Sequence, residues 1–382
     1  MAILTPPQAA KIAAGVYDLR TKSIDDLMLA AAELNPLGIE GIFGSSSRFT
    51  GTSGAFIRPL TGFGFIATGV GPFAGDMLIA TRGTVKATDW LTDFNVSLQR
   101  GPSGERVHAG FNETWKSFEP ALREALKGRN PTRIHCVGHS LGGGLAFLNA
   151  DFITANRIAA VNVYTFGAPR TGLSAFAQQL TDRVGKENFH RVSHPCDPVP
   201  MIPLWPFFHV ALGEDGLEIG RGRSLAINPL AHFMKDSYLP AVLGKSWSDL
   251  VVKKPDERTV QTWIDSGGLG ATLGSGKYLE LIGIVMMKLL RDAGMLVKGT
   301  LGLAGIGAVT LLDTLATMLW QAGQVSAEIG RGVTMLIGMI FKFLGRTVGT
   351  AVQLTAAFLR WVLDLLFTAV RNVAARALAL VR

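Results

Sequence analysis

The most constraining stretch of the chain is Arg133-Ile134-His135-Cys136-Val137-Gly138-His139-Ser140-Leu141-Gly142-Gly143-Gly144. It opens as a short apolar strand, turns at Gly138-His139-Ser140-Leu141-Gly142, and continues as a helix through Leu145, Ala146 and Leu148. A G-x-S-x-G turn between a strand and a helix is the form of a nucleophile elbow. Gly138 and Gly142 fit it because a Cβ at either place would collide across so tight a turn. Ser140 then has an exposed hydroxyl, a helix N-terminus beneath it, and the Leu141 amide directed at a developing oxyanion. The bare pentapeptide is common by chance; the strand before and the helix after give it weight.

The flanking chain supplies an α/β frame. Residues 8–34 read as helix, from the spacing of Ala9, Ile12, Ala13, Val16 and Leu19 and a second run from Ile24. The Gly-, Ser- and Thr-rich stretch 44–75 suits short strands joined by turns. Met77–Thr81 reads as a buried strand, 85–94 as a short helix, and 112–126 as an amphipathic helix. Strands are expected again at 161–167 and 189–193, with a helix near 173–184. Strands alternating with helices imply a largely parallel sheet. The expected division is an α/β domain over 1–252, a polar Gly- and Ser-rich linker over 253–277, and an all-α hydrophobic region over 278–382. The Gly270–Lys277 stretch has neither the spacing nor the Ser or Thr of a phosphate loop.

Function classes narrow with composition. The 382 residues are 48% hydrophobic and only 17% charged, with a net charge of +8. Basic residues are scattered rather than clustered, which favours an anionic membrane surface over nucleic acid as a partner. Two cysteines, Cys136 and Cys196, make a disulfide framework unexpected. Residues 1–17 have no long apolar core, so no cleaved secretory signal is expected; the protein is cytoplasmic or leaves by a signal-independent route. In the last segment Gln353, Arg360, Asp364 and Arg371 form one polar stripe on an otherwise apolar helix. Such helices are expected either to bury their charges against one another or to lie at a bilayer interface. On that expectation, removing the region leaves a soluble catalytic domain that has lost its hold on vesicles.

A nucleophilic serine needs a base and an orienting acid. Asp197 follows a predicted strand and is held by Pro195, Pro198 and Pro200, though an Asp-Pro of this kind also serves as a plain turn. Of the histidines that follow Ser140, His194 precedes the acid, His209 lies in an apolar run, and His232 opens a short helix after a loop. His232 is favoured over His209 as the base. His108 and His139 are neighbours rather than acid–base candidates.

Five blocks in order carry a resemblance: Ala80-Thr81-Arg82-Gly83-Thr84, Val107-His108-Ala109-Gly110-Phe111, Gly138 to Gly143, Tyr164-Thr165-Phe166-Gly167-Ala168-Pro169-Arg170, and Asp197-Pro198-Val199-Pro200. Together they resemble the class 3, fungal-type lipases of the α/β-hydrolase superfamily over about residues 75–240. The resemblance implies that Thr84 supplies an oxyanion donor, that Asp93 supports it, and that Trp90, Leu91 and Phe94 form the apolar face of a lid. Ordinary core packing accounts for those three apolar residues as well. The segment between Asp197 and His232 is shorter and more apolar than in secreted fungal enzymes. The region after residue 278 has no counterpart in them. A lipase domain with a hydrophobic helical extension is similar in architecture to bacterial lipase effectors exported by type VI machinery, which implies as partners a chaperone, a secretion machine or an inhibitor protein.

The sequence therefore points to a serine ester hydrolase of membrane lipids that uses Ser140, Asp197 and His232 and needs no metal or cofactor. Two alternatives stand beside it: a non-catalytic scaffold whose helices disrupt membranes or form a pore, and a thioesterase or peptidase on the same fold.

Overall fold

A computed structural model describes residues 2–17, 41–52, 60–83, 98–211, 216–220, 226–253, 258, 261–262, 275–297, 300–301, 311–347 and 353–380. Helix α1 (Pro6–Gly15) precedes β1 (Phe43–Thr52), β2 (Leu60–Gly69), β3 (Met77–Thr81), β4 (Leu98–Arg100) and β5 (Arg106–His108). Then come α2 (Ala109–Leu126), β6 (Arg133–His139), α3 (Leu141–Ala155), β7 (Ala160–Phe166), β8 (Gly172–Leu173), α4 (Ser174–Val184) and β9 (Phe189–Ser193). After β10 (Phe207–Phe208), β11 (Gly216–Glu218), α5 (Leu239–Val242) and β12 (Val251–Val252), the chain becomes helical. Those helices are α6 (Gly276–Asp292), α7 (Leu311–Val325), α8 (Ala327–Phe343) and α9 (Ala356–Leu380).

The main sheet has the order β1-β2-β3-β6-β7-β9-β11-β12. Its middle, from β3 to β11, is parallel; β1, β2 and β12 join antiparallel. A smaller antiparallel sheet runs β10-β8-β5-β4. Strand alternation assigns the two faces of the main sheet. Met77, Ile79, Ile134, Cys136, Val161 and Val163 face one core, shared with α2, α3 and α4. Leu78, Ala80, Val137, Tyr164 and Phe166 face the other, shared with α1 and residues 234–250. Register aligns Thr81 with Gly138 and His139 with Phe166, so the carboxyl ends of the parallel strands lie along one edge. Loops at that edge are where an open α/β sheet carries its chemistry.

The sequence expectations need adjustment at several places. The first helix starts at Pro6, where Thr5 and Gln8 form a capping box, and is described only to Tyr17; the rest of the helix expected over 8–34 lies outside the described residues. The stretch read as several short strands contains two ten-residue strands, β1 and β2, paired antiparallel. The expected helix at 85–94 lies outside the described residues. Of the expected linker, Arg258, Gln261 and Thr262 are exposed, whereas Ser275 is fully buried, bridges to Ala226 and caps α6. Cys136 and Cys196 are both buried, and neither forms a disulfide.

The C-terminal helices do not carry their apolar faces free. Buried side chains of α6, α7, α8 and α9 belong to the same core as α2, α3 and the sheet. Helix α9 packs on the turns Val199–Met201 and Pro229–His232. Its expected polar stripe faces outward: Arg360 and Asp364 are exposed, and Arg360 pairs with Asp313 of α7. Among the described residues no helix is long and apolar enough to cross a membrane.

Buried histidines tie this core to pH. His190 stacks between Tyr164 and Trp247, at 4.8 and 4.3 Å between ring centres, and burial pushes it down to about 4. Burial likewise pushes His108 down to about 4. The unfolded chain, with histidines near the ordinary value of 6.5, takes up more protons between those limits. Stability is therefore complete above pH 6.5 and falls as the pH drops towards 4, by about 1.4 kcal/mol per pH unit for each histidine. Denaturant titrations at pH 7, 5.5 and 4.5 check this, and an unfolding free energy level over that range contradicts it.

Candidate active site

The elbow forms as its glycines require. Ser140 has φ 60° and ψ −134°, a conformation a non-glycine residue adopts at a cost. A Cβ on Gly138 would stand 2.2 Å from the Gly142 carbonyl oxygen, and one on Gly142 would stand 2.3 Å from that of Thr81. The strained turn lifts the serine from the end of β6 and starts α3 at Leu141.

The structure brings Ser140, His232 and Asp197 together. His232 Nε2 lies 2.8 Å from Ser140 Oγ, and His232 Nδ1 lies 2.8 Å from Asp197 Oδ2. In the neutral tautomer that fits, Nδ1–H donates to the carboxylate and Nε2 accepts from the serine hydroxyl. Asp197 also accepts from the Val199 amide at 2.8 Å and the Tyr238 hydroxyl at 2.7 Å. All three residues are enclosed, with Ser140 2% exposed and the other two fully buried. Gly167, at φ 57°, leaves the space they need: a Cβ there would stand 2.8 Å from Asp197 Oδ2 and 3.1 Å from His232 Nδ1. His209 does not join this group; it lines a cavity on another side of Asp197.

Sequence reasoning missed the groups that hold the histidine loop. Tyr17 Oη donates to His139 Nδ1 at 2.8 Å, and His139 Nε2 donates to the His232 carbonyl at 2.8 Å. Tyr17 also accepts a backbone hydrogen bond from Gly83. The chain Gly83–Tyr17–His139–His232 thus links the end of β3 to the loop of the base. Burial, reinforced by His232, holds His139 well below the ordinary histidine range, which keeps its ring neutral and able to accept from Tyr17. Burial, with the Asp197 charge second, raises Tyr238 well above the ordinary tyrosine range, so it stays a donor. His139 stood beside the serine in the motif; nothing local marked Tyr17, which lies 122 residues from its partner.

Thr84, Trp90, Leu91, Asp93 and Phe94 lie outside the described residues. Gly83, the neighbour of Thr84, is beside the serine: its Cβ would stand 3.3 Å from that of Ser140. Among the described residues no cluster of three side chains suited to a metal ion occurs.

Residues 78–207 match the family model Lipase (class 3). The chain is 32% identical over 148 residues to secreted mono- and diacylglycerol lipase 1 of Fusarium solani, covering 36% of this chain and 44% of that protein. It is 26% identical over 206 residues to phospholipase A1-II 1 of Oryza sativa subsp. indica, covering 46% and 51%. The match spans about half the length of these curated relatives. Among solved structures, the Rhizomucor miehei triacylglyceride lipase aligns at a TM-score of 0.41 and 20% identity, over 56% of this chain and 78% of that one. The family model spans the strands and loops that carry Ser140 and Asp197, so over residues 78–207 the chain is similar to the class 3 lipases.

Proposed function

We propose that this chain is a serine carboxylic-ester hydrolase that cleaves acyl esters of membrane lipids. The observation that carries the proposal is the unbroken hydrogen-bond chain from Ser140 through His232 to Asp197 on a strained elbow. Ser140 Oγ attacks the acyl carbonyl while His232 Nε2 takes its proton; Asp197 steadies the imidazolium that results. The Leu141 amide and Thr84 stabilise the oxyanion, Asp93 supports Thr84, and Trp90, Leu91 and Phe94 meet the acyl chain. The proton then goes from His232 to the leaving alcohol, and water, activated by the same histidine, releases the fatty acid.

The names of the relatives, mono- and diacylglycerol lipase and phospholipase A1, support a glycerolipid substrate. A membrane as its source is supported by Trp320 and Trp361, 38% and 47% exposed on the helical region, and by the net charge of +8. Incubating the purified chain with a total lipid extract and reading released fatty acids by mass spectrometry tests the proposal; no release by a folded protein overturns it.

Tyr238 serves this reaction as a positioning residue, through Asp197. Tyr238→Phe removes one charge-assisted hydrogen bond and leaves the ring in place. It should lower kcat by about ten- to a hundredfold, from a loss of roughly 1.5–3 kcal/mol, with KM little changed. A fall confined to KM would show that Tyr238 shapes binding instead.

A further inference from the structure

A cavity open to solvent borders the triad at Asp197 alone. It has a volume of about 360 Å³ and is walled by β9, the Asp197 loop, β11 and the first turns of α6. Neither Ser140 nor His232 lines it. Arg170 and Arg191 form its inner wall, and the exposed side chains of Lys253, Lys277 and Glu280 stand at its mouth.

The polar inventory is unbalanced. Four cationic side chains meet the carboxylates of Glu218 and Glu280, since Asp197 is already engaged by His232, Tyr238 and the Val199 amide. Arg191 Nε is buried without a hydrogen-bond partner. The charges of Glu280 and Glu218 act on this guanidinium, but a buried N–H left without an acceptor is costly unless something supplies an oxygen. Arg170 commits one nitrogen, Nη1, to the carbonyls of Met201 and Pro203. Burial pushes it down to about 10; Glu280 opposes that shift and the nearby Arg191 charge adds to it. Two guanidinium groups lining one cavity offer N–H donors of the kind that hold a carboxylate or phosphate. The rest of the lining is mixed: Ser193, His194 and His209 are polar, and Met201, Leu279, Leu281 and Ile284 are apolar.

We infer that this cavity binds a small amphiphile with an oxyanion head, carboxylate or phosphate, held by Arg191 and Arg170, and a short apolar body against Met201, Leu281 and Ile284. The same chemistry is offered by a released fatty acid and by a phosphate-headed lipid fragment. Because α6 and the Asp197 loop both line the cavity, the occupant touches the helical region and the loop carrying Asp197.

Calorimetric titration of the full chain, in a Ser140→Ala background so that nothing turns over, tests this independently of hydrolysis. The probes are octanoate, octyl phosphate and inorganic phosphate. At least one amphiphile should bind at least tenfold more tightly than inorganic phosphate; which one does identifies the source. Arg191→Gln should weaken that binding by tenfold or more. Lys277→Glu, at an exposed position that leaves the fold alone, should weaken it severalfold. Failure of both amphiphiles to bind overturns the proposal. So does equal affinity for inorganic phosphate, or binding that neither substitution alters, since the amphiphile would then occupy the acyl site.

Discussion

Ser140→Ala should lower turnover of any ester the chain accepts by about 10³–10⁶-fold while leaving its unfolding transition nearly in place. Alanine lacks only the hydroxyl. The position is fixed by features the substitution does not touch: the Ser140 amide donates to the Phe166 carbonyl at 3.0 Å, and the Ser140 carbonyl accepts from Gly143 at 2.9 Å. The φ of 60° is strained for either residue, so the backbone cost is shared and cancels. What is lost is the atom that forms the acyl bond. His232 keeps its bond to Asp197 and stays oriented, but has no alcohol to deprotonate. Residual catalysis from the oxyanion donors sets the floor of the expected range. Initial rates on a soluble chromogenic ester, with circular dichroism of both proteins, decide the matter. Activity within tenfold of wild type would remove the elbow from the mechanism and with it the proposed reaction.

How much of this could be read beforehand depends on whether the determining contacts were local. The elbow was legible because glycine spacing, a preceding apolar strand and a following helix all lie within a dozen residues of Ser140. The sheet was legible for a similar reason: Met77–Thr81 is an apolar run, and Ala160–Phe166 and Phe189–Ser193 are short β-branched and aromatic stretches bounded by turn residues. Asp197 and His232 could be named only as candidates, since 35 residues separate them and no local rule excludes His209. Gly167 was quoted for its motif, yet its purpose, clearing room for three polar side chains, needs the packed site to be seen. Tyr17 and Tyr238 carried no signal, because a tyrosine gains its meaning from what its hydroxyl reaches. The helical region misled for a further reason. Apolar periodicity says that a face is kept from water, not whether protein or lipid covers it.

That last point reverses an expectation about the helical region. A chain ending at Thr355, without α9, should not be a more soluble and equally competent esterase; it should fail to hold its hydrolase fold and lose activity on dissolved esters. Helix α9 buries Leu359, Val362, Leu363, Leu366, Val370 and Leu378 in a core continuous with the sheet. At roughly 1.5–3 kcal/mol for each large side chain, the burial forfeited is on the order of 10 kcal/mol. Whole domains are stable by only about 5–15 kcal/mol, so the loss is comparable with the entire margin even after allowance for a compact unfolded state. The damage is also local to the chemistry, because α9 rests on the turns Val199–Met201 and Pro229–His232 that follow Asp197 and carry the base. Leu363→Ala gives a graded version of the same test. It should cost about 2–5 kcal/mol, seen as a lowered midpoint in denaturant, with activity recovered at low temperature where the fold survives. If the chain ending at Thr355 is cooperative in unfolding and hydrolyses soluble esters at the full-length rate, the helices are a separable appendage. Their contact with the histidine loop would then contribute nothing to the site.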